Sequence, residues 1–205
     1  MPFDAILFDF DGVLVDSEPI HCDCWAQVLA PFGITLNWGE YRDRYLGMDD
    51  REMIRRLAAE ADPPLAWDAL WAQYPRKKEL FQRRMEQPPF PGGLLPLLEG
   101  LQRKFKLAVV SSSARSEIEP PLIAGGLRHY FSALVTGGDA PRHKPAPDPY
   151  LLAARLVDAR VPLVVEDSPA GIASGHAAGF EVLAVGNAAE MPRILLDRLS
   201  GGLPA

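Results

Sequence analysis

Five short aliphatic runs bound what this chain can fold into: Ala5–Asp9, Leu107–Ser111, Ala133–Thr136, Leu163–Glu166 and Glu181–Val185. None shows the apolar–polar alternation of a strand with one wet face, so each reads as a strand covered on both faces. Helical patterns precede or separate the last four. They run over Gly92–Lys104, over Pro147–Val157 with proline near the start, and over Pro169–Ala178 with Gly179 as the stop. Alternation of this kind predicts an α/β fold, a doubly wound parallel five-stranded Rossmann-like core sheet.

The interval between the first two strands breaks the alternation. It reads as helices only, over Ser17–Ala30, Trp38–Tyr45, Asp49–Ala61 and Ala66–Glu86, the last expected to kink at Pro75. All four tryptophans (Trp25, Trp38, Trp67 and Trp71) fall here, as a small helical module needs bulky side chains to fill its own core. The expected organisation is therefore a catalytic core of residues 1–16 plus 89–205 and an inserted all-helical cap of residues 17–88. The chain after Val185 reads as a short tail.

In an open parallel sheet, ligands sit beyond the carboxyl ends of the strands. The first strand ends in Phe8-Asp9-Phe10-Asp11-Gly12, the second in Ser111-Ser112-Ser113 and the fourth in Glu166-Asp167-Ser168, while His143-Lys144-Pro145 lies downstream of the third. Two carboxylates as close as Asp9 and Asp11 repel and lose hydration, a cost that calls for a positive partner. Several acidic oxygens at one point suit a hard cation, best Mg²⁺, which favours carboxylates, water and a substrate phosphate. A serine hydroxyl, the backbone N–H groups after it and a lysine make a phosphate cradle. A carboxylate beside Mg²⁺ can attack phosphorus, and a second carboxyl can protonate the leaving alcohol and later deprotonate water. Each piece alone has a plainer reading: Asp-x-Asp as a turn, the serines as a helix cap, Lys144 as a surface lysine, Ser168-Pro169 as a helix start. Four such coincidences on successive strand ends are what favour the chemical reading.

As a set, Asp9-Phe10-Asp11-Gly12-Val13-Leu14, Ser111-Ser112, Lys144-Pro145 and Glu166-Asp167 resemble the four motifs of the haloacid dehalogenase-like superfamily. The resemblance is to the helical-cap group that includes β-phosphoglucomutases and phosphoglycolate phosphatases. It implies Asp9 as nucleophile and metal ligand, Asp11 as acid/base with its backbone carbonyl on Mg²⁺, and Asp167 as metal ligand. Glu166 joins the metal set as in the sugar-phosphate mutase branch. Ser111, Ser112 and Lys144 would hold the phosphoryl group, with Gly12 letting the backbone approach it. His21 and the loop around Gly47 fall where that branch has a cap histidine and a substrate-contacting loop. Arg76-Lys77-Lys78 offers a cap cation for a second phosphate, a solvated basic helix face being the plainer reading. Pro120 and Pro121 depart from the family pattern, and the helix after the second motif is expected to start or break there.

The resemblance implies a Mg²⁺-dependent phosphatase acting on a small phosphorylated metabolite such as a sugar phosphate. The alternative is a β-phosphoglucomutase-like isomerase using the same phospho-aspartate. A dehalogenase would need neither Asp11 nor Asp167. Net charge of −6 argues against nucleic acid as partner, and no long apolar run points to a membrane. Cys22 and Cys24 have no second ligand pair and read as reduced thiols, not a zinc site. A cytoplasmic enzyme, monomeric or weakly dimeric, is the expected form.

Overall fold

The computed structural model describes residues 3–45, 48 and 50–201. Its sheet has five parallel strands: β1 (Ala5–Phe8), β2 (Lys106–Val110), β3 (Ala133–Val135), β4 (Pro162–Glu166) and β5 (Glu181–Ala184), in the order β3-β2-β1-β4-β5. All of β1 and β4, and all of β2 beyond Lys106, are buried, as the unbroken aliphatic runs predict, whereas edge strand β5 is half exposed. Phe8 pairs with Val109 on one side and Val165 on the other. That register brings Asp9, Val110-Ser111 and Glu166 to one end of the sheet. The chain winds outward from β1 in both directions, so this end is also where strand order reverses.

Two compact units make up the chain, residues 1–16 with 87–205 and residues 17–86. The second opens at residue 17 as expected and ends at residue 86, two residues before the expected end at residue 88. Within the first, the Asp16 N–H and the Pro89 carbonyl lie 3.5 Å apart, so the chain leaves and re-enters this unit side by side.

The unit of residues 17–86 consists of α1 (Glu18–Leu29), α2 (Trp38–Arg44), α3 (Asp50–Glu60), α4 (Trp67–Trp71) and α5 (Tyr74–Arg84), plus a short 3₁₀ turn. Where one kinked helix was expected over 66–86, there are two. The break falls at Ala72-Gln73, and Pro75 sits in the first turn of α5, where its missing N–H has no intrahelical partner to lose. Trp25, Leu29, Tyr45, Met53, Ile54 and Leu70 form the unit's own core, with Trp67 and Trp71 packed against it. Trp38 departs from the expectation: it is 39% exposed at the start of α2 and stacks on Tyr41. Cys22 and Cys24 are buried free thiols, burial pushing Cys22 up to about 11.

The other unit adds α6 (Leu94–Leu101), α7 (Arg115–Ala124), α8 (Asp148–Leu156), α9 (Pro169–Ala177) and α10 (Met191–Leu199) to both faces of the sheet. Helix α7 corrects the expectation at Pro120 and Pro121. It starts at Arg115, with the Glu117 carboxylate accepting from Ala114 N–H, and runs through both prolines. Buried Ile118, Pro121 and Leu122 anchor it, and packing outweighs the two missing donors. The chain after Val185 is not a mere tail. Helix α10 buries Met191 and Leu195 at i, i+4 spacing and carries Pro192 in its first turn.

Candidate active site

The side chains at the carboxyl end of the sheet converge on Lys144. Asp9 N–H continues the ladder to Val165 O at 2.9 Å, which fixes the direction of the Asp9 side chain as β1 ends. Its Oδ1 accepts from Lys144 Nζ at 2.5 Å. The same ammonium donates to Glu166 Oε1 at 2.5 Å and to the Val110 carbonyl at 3.0 Å, so its three donors meet three strand ends. The Lys144 side chain is only 5% exposed, which corrects the plainer reading of it as a surface lysine.

Glu166 is fully enclosed. Oε1 accepts from Lys144 and from the Tyr150 hydroxyl at 2.8 Å, and Oε2 from Asp167 N, Ser168 N and Ser168 Oγ at 3.0–3.1 Å. Ser168 also caps α9, accepting from Gly171 N–H at 3.1 Å. A Cβ on Gly171 would lie 1.7 Å from Glu166 Oε1, so a hydrogen at this position is what lets the helix start pack on the carboxylate. Carboxylate oxygens of Asp9, Glu166 and Asp167 lie within 4.8 Å of one another, a group able to hold a cation.

The turn after β1 folds back on itself through Gly12 N–H to Val15 O at 2.8 Å and Leu14 N–H to Phe10 O at 3.0 Å. Gly12 has φ +77°, and a Cβ there would meet Asp167 Oδ2 at 2.0 Å. The glycine thus lets the loop close on Asp167. Asp11 leans toward the end of β2, where its Oδ2 accepts from Ser113 Oγ at 3.0 Å, with Ser111 Oγ at 3.5 Å. Ser111 is buried and its hydroxyl accepts from Ser113 N–H at 3.0 Å, while Ser112 is exposed. None of the three serines caps α7, whose N-cap position is Ala114.

The electrostatics are lopsided. Burial pushes the Asp9 carboxyl well up, the Lys144 ammonium pulls it down, and Glu166, Asp167 and Asp11 push it up again. Burial works against the charge on Lys144, but Asp9 and Glu166 outweigh it and hold its pKa above the ordinary lysine range. The Asp167 carboxyl is pushed up to about 7 by burial and by Glu166. Burial and Glu166 likewise raise the Tyr150 phenol well above its usual value, which keeps it a donor. One buried ammonium does not balance this many carboxylates, and the donor set fits a further hard cation.

Residues 6–185, from within β1 to just past β5, match the family described as haloacid dehalogenase-like hydrolase. The chain belongs to the haloacid dehalogenase-like hydrolases. Among relatives in this family, it is similar to a fructose-1-phosphate phosphatase of Escherichia coli (30% identity, 88% of this chain and 95% of that protein). It is also similar to a 6-phosphogluconate phosphatase of the same organism (32%, 87% and 80%). The crystal structure of CbbY from Rhodobacter sphaeroides in complex with phosphate superposes with a TM-score of 0.72 at 26% identity, over 89% of this chain and 85% of that one.

For this haloacid dehalogenase-like hydrolase, the structure brings Asp9, Asp11, Gly12, Ser111, Lys144, Glu166 and Asp167 to one end of the sheet. Three residues that sequence reasoning did not single out join them: Ser113 on Asp11, Tyr150 on Glu166 and Gly171 beneath Glu166. Ser113 stood in the serine run, but no local signal marks Tyr150 as polar-bonded.

The cap candidates belong to the other unit. Lys77 is not on a solvated basic face: it is 2% exposed, with Nζ on Asp50 Oδ2 at 2.9 Å and His21 Nδ1 at 2.8 Å, and Trp25, Tyr74 and Phe81 around it. Its place on the α5 face toward α1 decides this, whereas neighbouring Arg76 pairs in the open with Glu79. His21 stacks on Phe81 at a centroid distance of 4.0 Å. Gly47 lies outside the described residues.

Proposed function

We propose that this chain is a Mg²⁺-dependent phosphomonoesterase that hydrolyses a small phosphorylated metabolite, of the sugar-phosphate kind, through a phospho-aspartate at Asp9. The observation that carries the reading is the 2.5 Å contact of Lys144 Nζ with Asp9 Oδ1, beside the carboxylates of Glu166 and Asp167. The names of the similar phosphatases support the substrate class.

An Asp9 carboxylate oxygen attacks phosphorus in line with the ester oxygen. Lys144, with the Ser111 hydroxyl, holds the transferring phosphoryl oxygens and keeps Asp9 aimed. Asp11 gives its proton to the departing alkoxide, then takes one from the water that attacks the acyl phosphate, which releases inorganic phosphate and restores the Asp9 carboxylate. Mg²⁺ held by Asp9, Asp167 and the Asp11 backbone carbonyl, with Glu166 beside them, would supply Lewis-acid neutralisation of the phosphoryl charge. Among the described residues no helix is long and apolar enough to cross a membrane.

A panel of phosphorylated sugars, sugar acids, phosphoglycolate and nucleotides, assayed with Mg²⁺ for free phosphate and for isomerised product, tests the reading. Phosphate release by the wild type and none by Asp9→Asn is the expected result, since an amide is neither nucleophile nor anionic ligand. Turnover by folded Asp9→Asn at the wild-type rate removes the mechanism, and isomerised product without net phosphate release replaces hydrolysis by mutase chemistry.

A further inference from the structure

Glu166 Oε1 serves two donors from different elements, Lys144 Nζ at 2.5 Å and the Tyr150 hydroxyl of α8 at 2.8 Å. Tyr150 is completely buried and meets the lysine a second time, its ring face lying 5.0 Å from Nζ. Oε2 is fixed by three donors from the start of α9. The carboxylate cannot turn, so how strongly Oε1 draws on the ammonium depends on what else that oxygen accepts.

We propose that Tyr150 is a positioning residue for the phosphoryl-transfer reaction: its hydroxyl shares Glu166 Oε1 with Lys144 and so keeps the ammonium divided between Glu166 and Asp9. This rests on the phosphatase reading above. An oxygen that accepts two hydrogen bonds holds each less tightly than one that accepts a single bond. With the hydroxyl gone, Oε1 has Lys144 alone, and the ammonium shifts toward Glu166 and away from Asp9 and the incoming phosphoryl group. Glu166 keeps four donors in that variant, so no buried charge is stranded and the fold has no reason to fail. The ring stays in place under Lys144 in Tyr150→Phe and is lost in Tyr150→Leu, which separates the hydroxyl from the cation–π contact.

The test compares wild type, Tyr150→Phe, Tyr150→Leu and, as a packing control in the same buried cluster just past the end of α8, Val157→Ala. Expected for Tyr150→Phe is a folded protein whose kcat falls roughly 10-fold to 100-fold, the usual size for losing a group that orients an active-site ligand. Affinity for orthovanadate should fall with it, and Tyr150→Leu should lose more. Val157→Ala should lower the melting temperature while kcat stays put. Wild-type kcat and vanadate affinity in Tyr150→Phe overturn the inference, as does an equal kcat loss in Val157→Ala. A wild type that hydrolyses no phosphate ester overturns the phosphatase reading instead. Crystal structures of wild type and Tyr150→Phe then judge Tyr150: a Lys144–Asp9 contact that lengthens in the variant supports the role, and an unchanged one refutes it.

Discussion

Asp11 and Asp9 carry the same functional group two residues apart, and the reaction proposed above gives them different roles. Asp9 is tied to an ammonium and stands among carboxylates, which would keep the proposed nucleophile aimed. Asp11 bonds to the neutral Ser113 hydroxyl at 3.0 Å, a contact it can give up to a leaving oxygen. Asp11→Asn should therefore lower kcat on sugar phosphates about 10²- to 10⁴-fold, the range of a general acid–base contribution. The loss should shrink on p-nitrophenyl phosphate, whose phenolate departs without a proton. Paired rate measurements on both substrates check this, and equal losses would assign Asp11 another role.

At the scale of elements, the end of β3 is tied to the start of α7 by one carboxylate. Asp139 Oδ2 accepts from Thr136 N and Oγ1, both at 2.8 Å, and from Arg115 Nη2 at 2.9 Å. Burial works to raise the Asp139 pKa, but the Thr136 and Arg115 bonds prevail and hold it below the ordinary aspartate value. A carboxyl depressed in the folded state adds stability above its unfolded pKa and loses it as pH falls through the folded value. Asp139→Ala should thus cost about 1 kcal/mol near pH 7, the low end for bonds to a charged group because this carboxylate is a third exposed. The gap should begin to narrow as pH falls below about 4 and shrink further as it passes the lower folded value. Urea unfolding of both proteins across pH 3–7 (roughly the carboxylate range) measures it, and a gap independent of pH would mean the charge plays no part.

At the scale of the whole molecule, folding and the proposed metal binding should be separable. The sheet closes over apolar side chains of β1, β2 and β4 and of α8 that owe nothing to a cation. The cluster at its end gathers Asp9, Glu166 and Asp167 about the one Lys144 ammonium. Chelation with EDTA should abolish turnover and leave the far-ultraviolet circular dichroism intact, with activity restored by Mg²⁺. Binding to the native state alone adds stability by mass action, about 2.7 kcal/mol at a hundredfold excess over Kd. Calorimetry should accordingly show a melting temperature that rises with Mg²⁺. No rise at millimolar Mg²⁺ would argue that the cluster holds no metal.

What the sequence determined by itself was local and periodic. Aliphatic runs without alternation specified the five strands, and polar residues at their carboxyl ends marked where Asp9, Ser111, Glu166 and Asp167 would stand, because that end of a parallel sheet is where ligands are met. Proline in a first turn and glycine after a last one punctuated α8 and α9. Tertiary structure decided what lies far apart along the chain. Lys144 reaches Asp9 across 135 residues and Tyr150 reaches Glu166 only because parallel register and the packing of α8 put them there. Lys77 was read as solvated from its basic neighbours, yet helix packing carried it inside against Asp50 and His21. Helix α7 runs through Pro120 and Pro121 because burying Ile118 and Leu122 outweighs a local penalty. Propensity acts over a few residues, while contacts between distant residues follow from how whole elements stack, which no local pattern encodes.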